Sequence, residues 1–494
     1  MRIGIDFGTS FSLPAISYYD SNIVLLPGGK YGIPSVFYYD DWEGVLVGED
    51  AENAGQGEEA KNLKREIKLE LFSSFVADGK SFSGQQIVGY ILSNVKETAL
   101  MVAKEKLINE SLEGVVISVP ARFEHNEKDI IKKAAEIPTS QGGPGMKVLG
   151  FIKEPVAAAL AYYKTSLKDG TRILVYDLGG GTCDVAIVEA NSKSNERYRV
   201  VDANMKRIGG KDWDSKLEEY IRKEIENQSG LSMANNPGYA EKIKRAAISA
   251  KHSFSEKIGD AYRDRVKARV EVNGKTFVIP ITKSQFDSLT VSLLNETLYM
   301  TKELKERNGD RLIDKIVCVG GSSKMPQVMD GLHRFFPDAD IQIYEPEKAI
   351  AIGASIYAQL CDNKSVISDI AAFSYGVGTN THFGFDDNRE IVENIVKIGA
   401  RLPAIRTKSF VPVRAGQKKV VFVVYESEID SETYDFYNPE KRTIGMVALE
   451  LPPNAPKSLD MKVTITLNQD GMLEVEAKEP SGKRVKATFE VVNQ

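Results

Sequence analysis

The stretch Asp177-Leu178-Gly179-Gly180-Gly181-Thr182-Cys183-Asp184 holds the residue types that handle a polyphosphate. Apolar runs, Ile173 to Tyr176 and Val185 to Val188, flank it, so two strands joined through three glycines are expected. Such a turn asks for positive φ, which glycine takes without a Cβ penalty. Its bare N–H groups would form a concavity suited to phosphate. Asp177 and Asp184 add carboxylates, the hard oxygen ligands that Mg²⁺ prefers, usually reached through its retained waters. Taken alone, these eight residues read equally well as a glycine-rich hairpin with two solvated aspartates.

A second copy shifts the balance. Ile3-Gly4-Ile5-Asp6-Phe7-Gly8-Thr9-Ser10 repeats the order of apolar strand, Asp, Gly and hydroxyl residues, and an apolar run from Leu13 to Tyr19 follows. The two copies lie too far apart for a solenoid repeat. They suit two similar lobes, each offering an Asp-tipped hairpin to a shared cleft that would clamp a nucleotide with Mg²⁺.

At 494 residues the chain exceeds one core, and roughly three units of the usual ~150 residues are expected. With 42% hydrophobic and 27% charged residues, disorder is not the default, and a net charge of −5 gives no general attraction to nucleic acid. No apolar run reaches the ~18 residues of a spanning helix, and the first strand follows Met1 so closely that no signal peptide is expected. Three scattered cysteines argue against a disulfide framework, and four histidines without ligand spacing against a zinc site. A cytoplasmic protein without membrane or nucleic-acid partners is the expectation.

The elements that must position the two aspartate turns can be read in chain order. Residues 58–71 have the period of a charged helix, with Leu63, Ile67 and Leu71 along its apolar edge. Lys64 on that segment reads as a solvated lysine. Apolar positions from Ile87 to Val102 keep helical spacing after Ser83, and Val115 to Val119 is a buried strand. A helix over 126–135 and a strand over 148–152 follow. Glu154-Pro155 then opens a helix, where an acid near the N-terminus has a purely structural reason to be.

Beyond the second turn come Gly209-Gly210-Lys211, an amphipathic helix through Ile225, and a second helix over 238–254. A hairpin turns at Asn273-Gly274, and Thr282 to Gln285 forms a capping box. The strand Ile316 to Val319 runs into Gly320-Gly321-Ser322-Ser323-Lys324 and a helix, a third anion-friendly arrangement, and a helix over 347–360 closes this part. Strands alternating with helices argue for an α/β protein up to about residue 361. Past residue 370 a period of two takes over, in Val463, Ile465, Leu467, then Leu473, Val475, Ala477, then Val485, Ala487, Phe489 and Val491, with a turn at Asp470-Gly471. That is an antiparallel β domain over 370–494, preceded by a linker over 362–369 in which Val366 and Ile367 are apolar.

The segments IGIDFGTSFS, VVISVPARF, IKEPVAAALAY, VYDLGGGTCDVAIVE, RIGGKDWD, VCVGGSSKMPQV and EPEKAIAIGAS resemble, in order and spacing, those of the seventy-kilodalton heat-shock (DnaK-type) chaperone family. The resemblance covers residues 1–361, and SDIAAFSYGVGTN with the strands after it resembles that family's peptide-binding sandwich. It implies an actin-like, duplicated two-lobe ATPase domain followed by an all-β antiparallel sandwich. ATP/ADP and Mg²⁺ are the implied cofactors, and extended apolar polypeptides, a J-domain co-chaperone and a nucleotide exchange factor the implied partners.

Carried over residue by residue, Gly8, Thr9, Ser10 and Phe11 would form one phosphate loop, and Gly179, Gly180, Gly181 and Thr182 the other. Asp6, Asp177 and Asp184 would hold hydrated Mg²⁺, while Lys64 and Glu154 would position the attacking water and metal shell; Asp177, Thr182 and Asp184 complete the implied catalytic set. Gly209, Gly210, Lys211, Lys251, His252, Ser255, Gly320, Gly321, Ser322 and Lys324 would border the nucleoside. Val377, Phe410, Val413, Val420 and Phe422 would line the peptide groove. Departures cluster near the base and ribose: Ile248 stands where an acid is usual, and His252 and Lys324 where arginines are usual. Asn380 falls on an apolar arch position, and Gln494 comes where a helical lid would begin. A slow ATPase coupled to peptide binding is expected. The rivals are a nucleotide-propped co-chaperone or binding module and an actin-like filament protein.

Overall fold

The computed structural model describes residues 1–19, 21–121, 123, 125–166, 171–190, 198–233, 237–258, 261–309, 313–362, 367–368, 370–383, 387–468 and 472–489. The expected turn at Asp470-Gly471, Val366 with most of the 362–369 linker, and Val491 lie outside them. The chain divides into two compact units. One comprises Met1–Ala121, Ile130–Tyr198 and Ala203–Val366; the other comprises Ile367–Gln494 with two short segments, Arg122–Asp129 and Arg199–Asp202.

The first unit holds two sheets of the same order. In one, strands run Val148–Lys153, Gly114–Val119, Arg2–Phe7, Phe11–Tyr18, Ser21–Val24. In the other they run Asp340–Ile343, Lys315–Val319, Arg172–Leu178, Cys183–Ala190, Tyr198–Lys206. In each, the strand with the first aspartate of a turn lies centrally, paired in parallel on one side and as an antiparallel hairpin on the other. The duplication read from the two turns is thus present in the topology.

Each sheet's outermost parallel strand leads into a helix, Glu154–Ser166 in one case and Ala349–Leu360 in the other. Both are rich in small apolar residues, which allows close contact. A Cβ on Gly353 would fall 1.7 Å from the Ala157 carbonyl oxygen, and one on Gly4 would fall 2.0 Å from the Ser355 nitrogen. Val156 to Tyr163 are all buried, as expected of a helix that is apolar on every side. Around this core the helix Gly84–Glu105 starts at the Ser83 capping box and buries Ile87, Ile91, Val95 and Val102. The hairpin of Arg265–Val272 and Lys275–Thr282 turns through Asn273 and Gly274, both at positive φ.

Residues 58–71 depart from expectation. They form a 3₁₀ stretch Gly57–Asn62, a two-residue strand Leu63–Lys64 and a second 3₁₀ stretch Ile67–Leu69. The break falls at Glu66, whose φ of 60° ends any helical run. The apolar edge was nonetheless read correctly, since Ile67 and Leu71 are buried.

The second unit is a β-sandwich. A five-stranded sheet runs Thr433–Asp435, Asp387–Val396, Ser374–Phe383, Lys419–Ser427, Arg442–Glu450. A four-stranded sheet runs Ala404–Phe410, Met461–Leu467, Leu473–Lys478, Arg484–Phe489. The period of two in the sequence becomes inward Val463, Ile465, Leu473 and Val475, packed against Val377, Val424, Val447 and Leu449 of the other sheet. Among the described residues, no helix is long and apolar enough to cross a membrane.

Candidate functional site

The two glycine turns face each other. A Cβ on Gly180 would lie 2.4 Å from the Ser10 hydroxyl, and one on Gly181 2.9 Å from the Thr9 hydroxyl. Gly8, Gly179, Gly180 and Gly181 do not take left-handed backbone, so the positive φ expected of them is absent. Glycine is needed there because other backbone comes close. A Cβ on Gly209 would meet the Gly181 nitrogen at 2.4 Å, and one on Gly8 would meet the Phe11 carbonyl oxygen at 2.1 Å. Gly320 combines both demands, with φ of 79° and a would-be Cβ 2.5 Å from Asp177 Oδ1.

Hydrogen bonds tie the second turn to the Gly209-Gly210 segment. The Gly210 and Lys211 N–H groups donate to the Gly179 and Gly180 carbonyls at 2.9 and 2.8 Å, and Gly179 N–H donates to the Thr182 carbonyl at 3.0 Å. Among the described residues, the N–H groups of Gly180 and Gly181 find no acceptor. Buried amides are ordinarily paired, so two such donors beside a hydroxyl pair suit an anion.

Beneath the turns lie four buried carboxylates: Asp6, Glu154, Asp177 and Asp184. Asp177 and Asp184 are direct cross-strand partners. Ser118 Oγ donates to Asp6 at 3.0 Å, and the Ala121 N–H donates to Asp184 Oδ1 at 2.6 Å. Burial, reinforced by the charge of Glu154, pushes Asp6 and Asp184 up to about 7. Burial with Glu154, Asp184 and Asp6 close by holds Asp177 well above the usual carboxylate range. Lys68 pulls the other way; it is buried, paired with Glu154, and 5.8 Å from the centre of the Phe7 ring.

Four carboxylates against one ammonium leave a buried excess of negative charge, which a divalent cation would relieve. Among the described residues, Asp184 Oδ2 is buried without a hydrogen-bond partner of good geometry, although the Thr182 hydroxyl is near that carboxylate, a further sign that the donor set fits a cation. Among the described residues, no three His, Cys, Asp or Glu side chains are grouped to hold an ion directly. The fit is therefore to an ion that keeps its waters, as Mg²⁺ does.

The residues alone read Lys64 as a solvated lysine, and the resemblance carried the water-positioning role to it. In the structure Lys64 pairs with Glu70, which is half exposed, while Lys68 stands among the carboxylates. The two lysines are four residues apart on a segment read as helical, which would have put both on one face. The break at Glu66 separates them. Burial of the adjoining Ile67 was the available signal.

Among the residues expected to border a nucleoside, Lys251 Nζ donates to Asp214 at 2.7 Å and to the Gly210 carbonyl at 2.9 Å. Asp214 was not singled out from sequence. Ser322 is buried beside Gly210, and Gly321 has open space where a Cβ would be. Ser255 Oγ is tied to the Lys251 carbonyl at 3.1 Å, His252 is exposed, and Ile248 is half-buried. Lys324 pairs with Glu347, and Lys211 lies 3.5 Å from Glu66. Phe11 is 44% exposed.

In the sandwich, Val377, Phe410 and Phe422 belong to the core, the two rings meeting edge to face at 5.6 Å. Val420 packs partly against that core. Of the five expected groove residues only Val413 is exposed, with Val411 beside it in the loop after Ala404–Phe410. Asn380 is exposed on its strand.

Two sheets of equal order, crossed by two small-residue helices and meeting at opposed glycine turns, define an actin-like two-lobed α/β unit, here followed by a β-sandwich. The chain belongs to the Hsp70 family: the family model described as Hsp70 protein matches residues 59–494. It is similar to the Chaperone protein DnaK of Thermotoga petrophila and to that of Thermotoga sp. strain RQ2. Each is 27% identical over 497 residues, covering 97% of this chain and 79% of the relative.

Proposed function

We propose that this protein is an ATP-dependent chaperone: it hydrolyses ATP slowly between its two lobes and couples that to binding extended apolar polypeptide in the β-sandwich. The observation that carries this reading is the juxtaposition of two phosphate-type turns over a buried cluster of four carboxylates and Lys68. The unpaired amides of Gly180 and Gly181, with the Thr9 and Ser10 hydroxyls, would cradle the β- and γ-phosphates. Asp6, Asp177 and Asp184 would hold hydrated Mg²⁺, which when bound neutralises charge on the phosphates.

Water attacks the γ-phosphorus, the bond to the β–γ bridging oxygen breaks so that this oxygen leaves with ADP, and the attacking water's proton passes to an oxygen of the phosphate product. Glu154 and Thr182 would orient that water, and Lys68, in the role first assigned to Lys64, would fix the Glu154 carboxylate with which it pairs. Positioning and charge neutralisation supply most of the acceleration in such chemistry. Apolar peptide would engage around Val413 and Val420, and a J-domain protein and an exchange factor are the expected partners.

A second reading, a nucleotide-propped binding module, draws on the nucleoside side. Lys251 and Lys324 are already paired with Asp214 and Glu347, and Ile248 cannot hydrogen-bond a ribose hydroxyl. Single-turnover hydrolysis of ATP by the purified chain, with and without an apolar peptide, separates the two. Hydrolysis that responds to peptide supports the chaperone; binding without hydrolysis supports the module.

A further inference from the structure

Lys68 reaches Glu154 from a weak piece of backbone. The 3₁₀ stretch Ile67–Leu69 is a single turn, too short to be stable alone. It is approached through Glu66 in left-handed conformation, which a residue with a Cβ adopts at a cost. Something outside the segment must hold it, and the two residues just ahead of Ile67 are bound to the opposite lobe.

Arg65 forks onto Glu52, with Nη2 2.7 Å from Oε2, and the same Nη2 lies 3.0 Å from Glu241 on the helix Pro237–Ser255. Arg245, one turn further along that helix, binds Glu241 at 2.9 Å and returns to the Glu52 carbonyl at 3.0 Å. Glu66 faces Lys244 at 3.9 Å and Lys211 at 3.5 Å, the latter beside the Gly209-Gly210 segment. Adjacent residues of opposite sign therefore meet partners of opposite sign across the cleft. A slip of one residue would set Arg65 against Lys244 and Glu66 against Glu241, so the pattern admits one register. Glu241 is 11% exposed and Arg65 20%, which leaves these charges less screened than surface pairs.

We propose that Arg65-Glu66 is a strap between the lobes that holds Lys68 in the carboxylate cluster, its catalytic consequence resting on the assignment of Lys68 above. Arg65 and Glu66 are positioning residues: they act on the reaction only through Lys68. Closing the lobes and placing the lysine become one event, so hydrolysis waits for closure over bound nucleotide.

The test uses the full chain and two readouts. The first is amide hydrogen exchange at Leu69 and Glu70, whose N–H groups donate to the Glu66 and Ile67 carbonyls at 3.0 and 2.9 Å. Arg65→Ala should speed exchange there about tenfold, the scale of a lost local restraint. Glu66→Gly should speed it too, although glycine accepts the backbone conformation, because the cross-lobe charge is gone. Unchanged exchange in both variants overturns the strap whether or not the protein hydrolyses ATP.

The second readout is single-turnover hydrolysis at saturating ATP, compared with the dissociation rate of fluorescent ADP. Arg65→Ala should slow hydrolysis about tenfold with Lys68 present and have no further effect in a Lys68→Ala background. Additive losses, or faster ADP release with normal hydrolysis, would mean a simple latch and refute the positioning role. Absence of hydrolysis in the unaltered chain, with the exchange effect intact, would instead count against the ATPase assignment and support the strap as a fastener of Lys68.

Discussion

The two lobes share a plan but not a chemistry. In the second lobe Asp177 faces a second acid, Asp184, across its hairpin; in the first, the residue opposite Asp6 is Leu13. The first lobe instead contributes Glu154 and Lys68, a buried pair at the head of its crossing helix. The second lobe has a counterpart there, since Glu347 lies two residues before Ala349–Leu360 and pairs with Lys324. That pair is about one-third exposed. The two lobes thus hold two acid–base frames at corresponding helix starts, and burial is what divides them.

The strongest way to break this contrast is to neutralise the aspartates that the two lobes hold in common. Asp177→Asn and Asp6→Asn should each lower Mg²⁺-dependent turnover by at least ~100-fold, the scale of one well-placed transition-state contact. Single-turnover hydrolysis measures it, and normal rates in either variant remove that residue from the metal shell. Next in size is the lysine comparison. Lys68→Ala should reduce turnover at least ~10-fold, whereas Lys64→Ala, which frees only half-exposed Glu70, should leave it within about twofold.

Much of this contrast was legible in the sequence, and the failures have physical causes. Strand–turn–strand units announce themselves locally, through apolar runs and glycines, so both Asp turns were found. The reason for their glycines was misjudged, because the demand comes from Ser10, Gly209 and Phe11 approaching in space rather than from the turn's own φ. The helical period read over 58–71 did not single out Lys68, and the left-handed residue Glu66 breaks the segment between it and Lys64. In the sandwich, alternation marked core-facing positions well. The groove positions came from the resemblance, and of these Val377 and Phe422 are buried in the core cluster.

A pH experiment sharpens the comparison at the level of single carboxyls. Asp184 and Asp6 are held at about 7 when folded, against 3.8 for an ordinary aspartate. Between those limits the folded state binds more protons than the unfolded state, so each group's stabilising contribution is full below about 4 and is lost as pH rises through about 7. Asp184→Asn and Asp6→Asn should therefore gain stability relative to the unaltered chain as pH rises from 5 to 8 in EDTA. Urea denaturation at each pH reads the difference. A difference flat with pH for one variant but not the other would confine the strained charge to one lobe.

The smallest expected effect concerns the two lysine–glutamate pairs. Lys324 and Glu347 are 35% and 28% exposed at the side chain, so water already screens their attraction and would solvate Glu347 if the lysine were removed. Lys324→Ala should change folding stability by less than ~1 kcal/mol. Lys68 and Glu154 are 3% and 7% exposed, so removing the lysine leaves a carboxylate buried without its cation. Lys68→Ala should therefore cost about 3 kcal/mol in EDTA, as for other broken buried pairs. Urea titrations of both variants at one pH decide the matter. Equal, small losses at both sites would mean that burial does not divide the two frames, and the asymmetry between the lobes would need another origin.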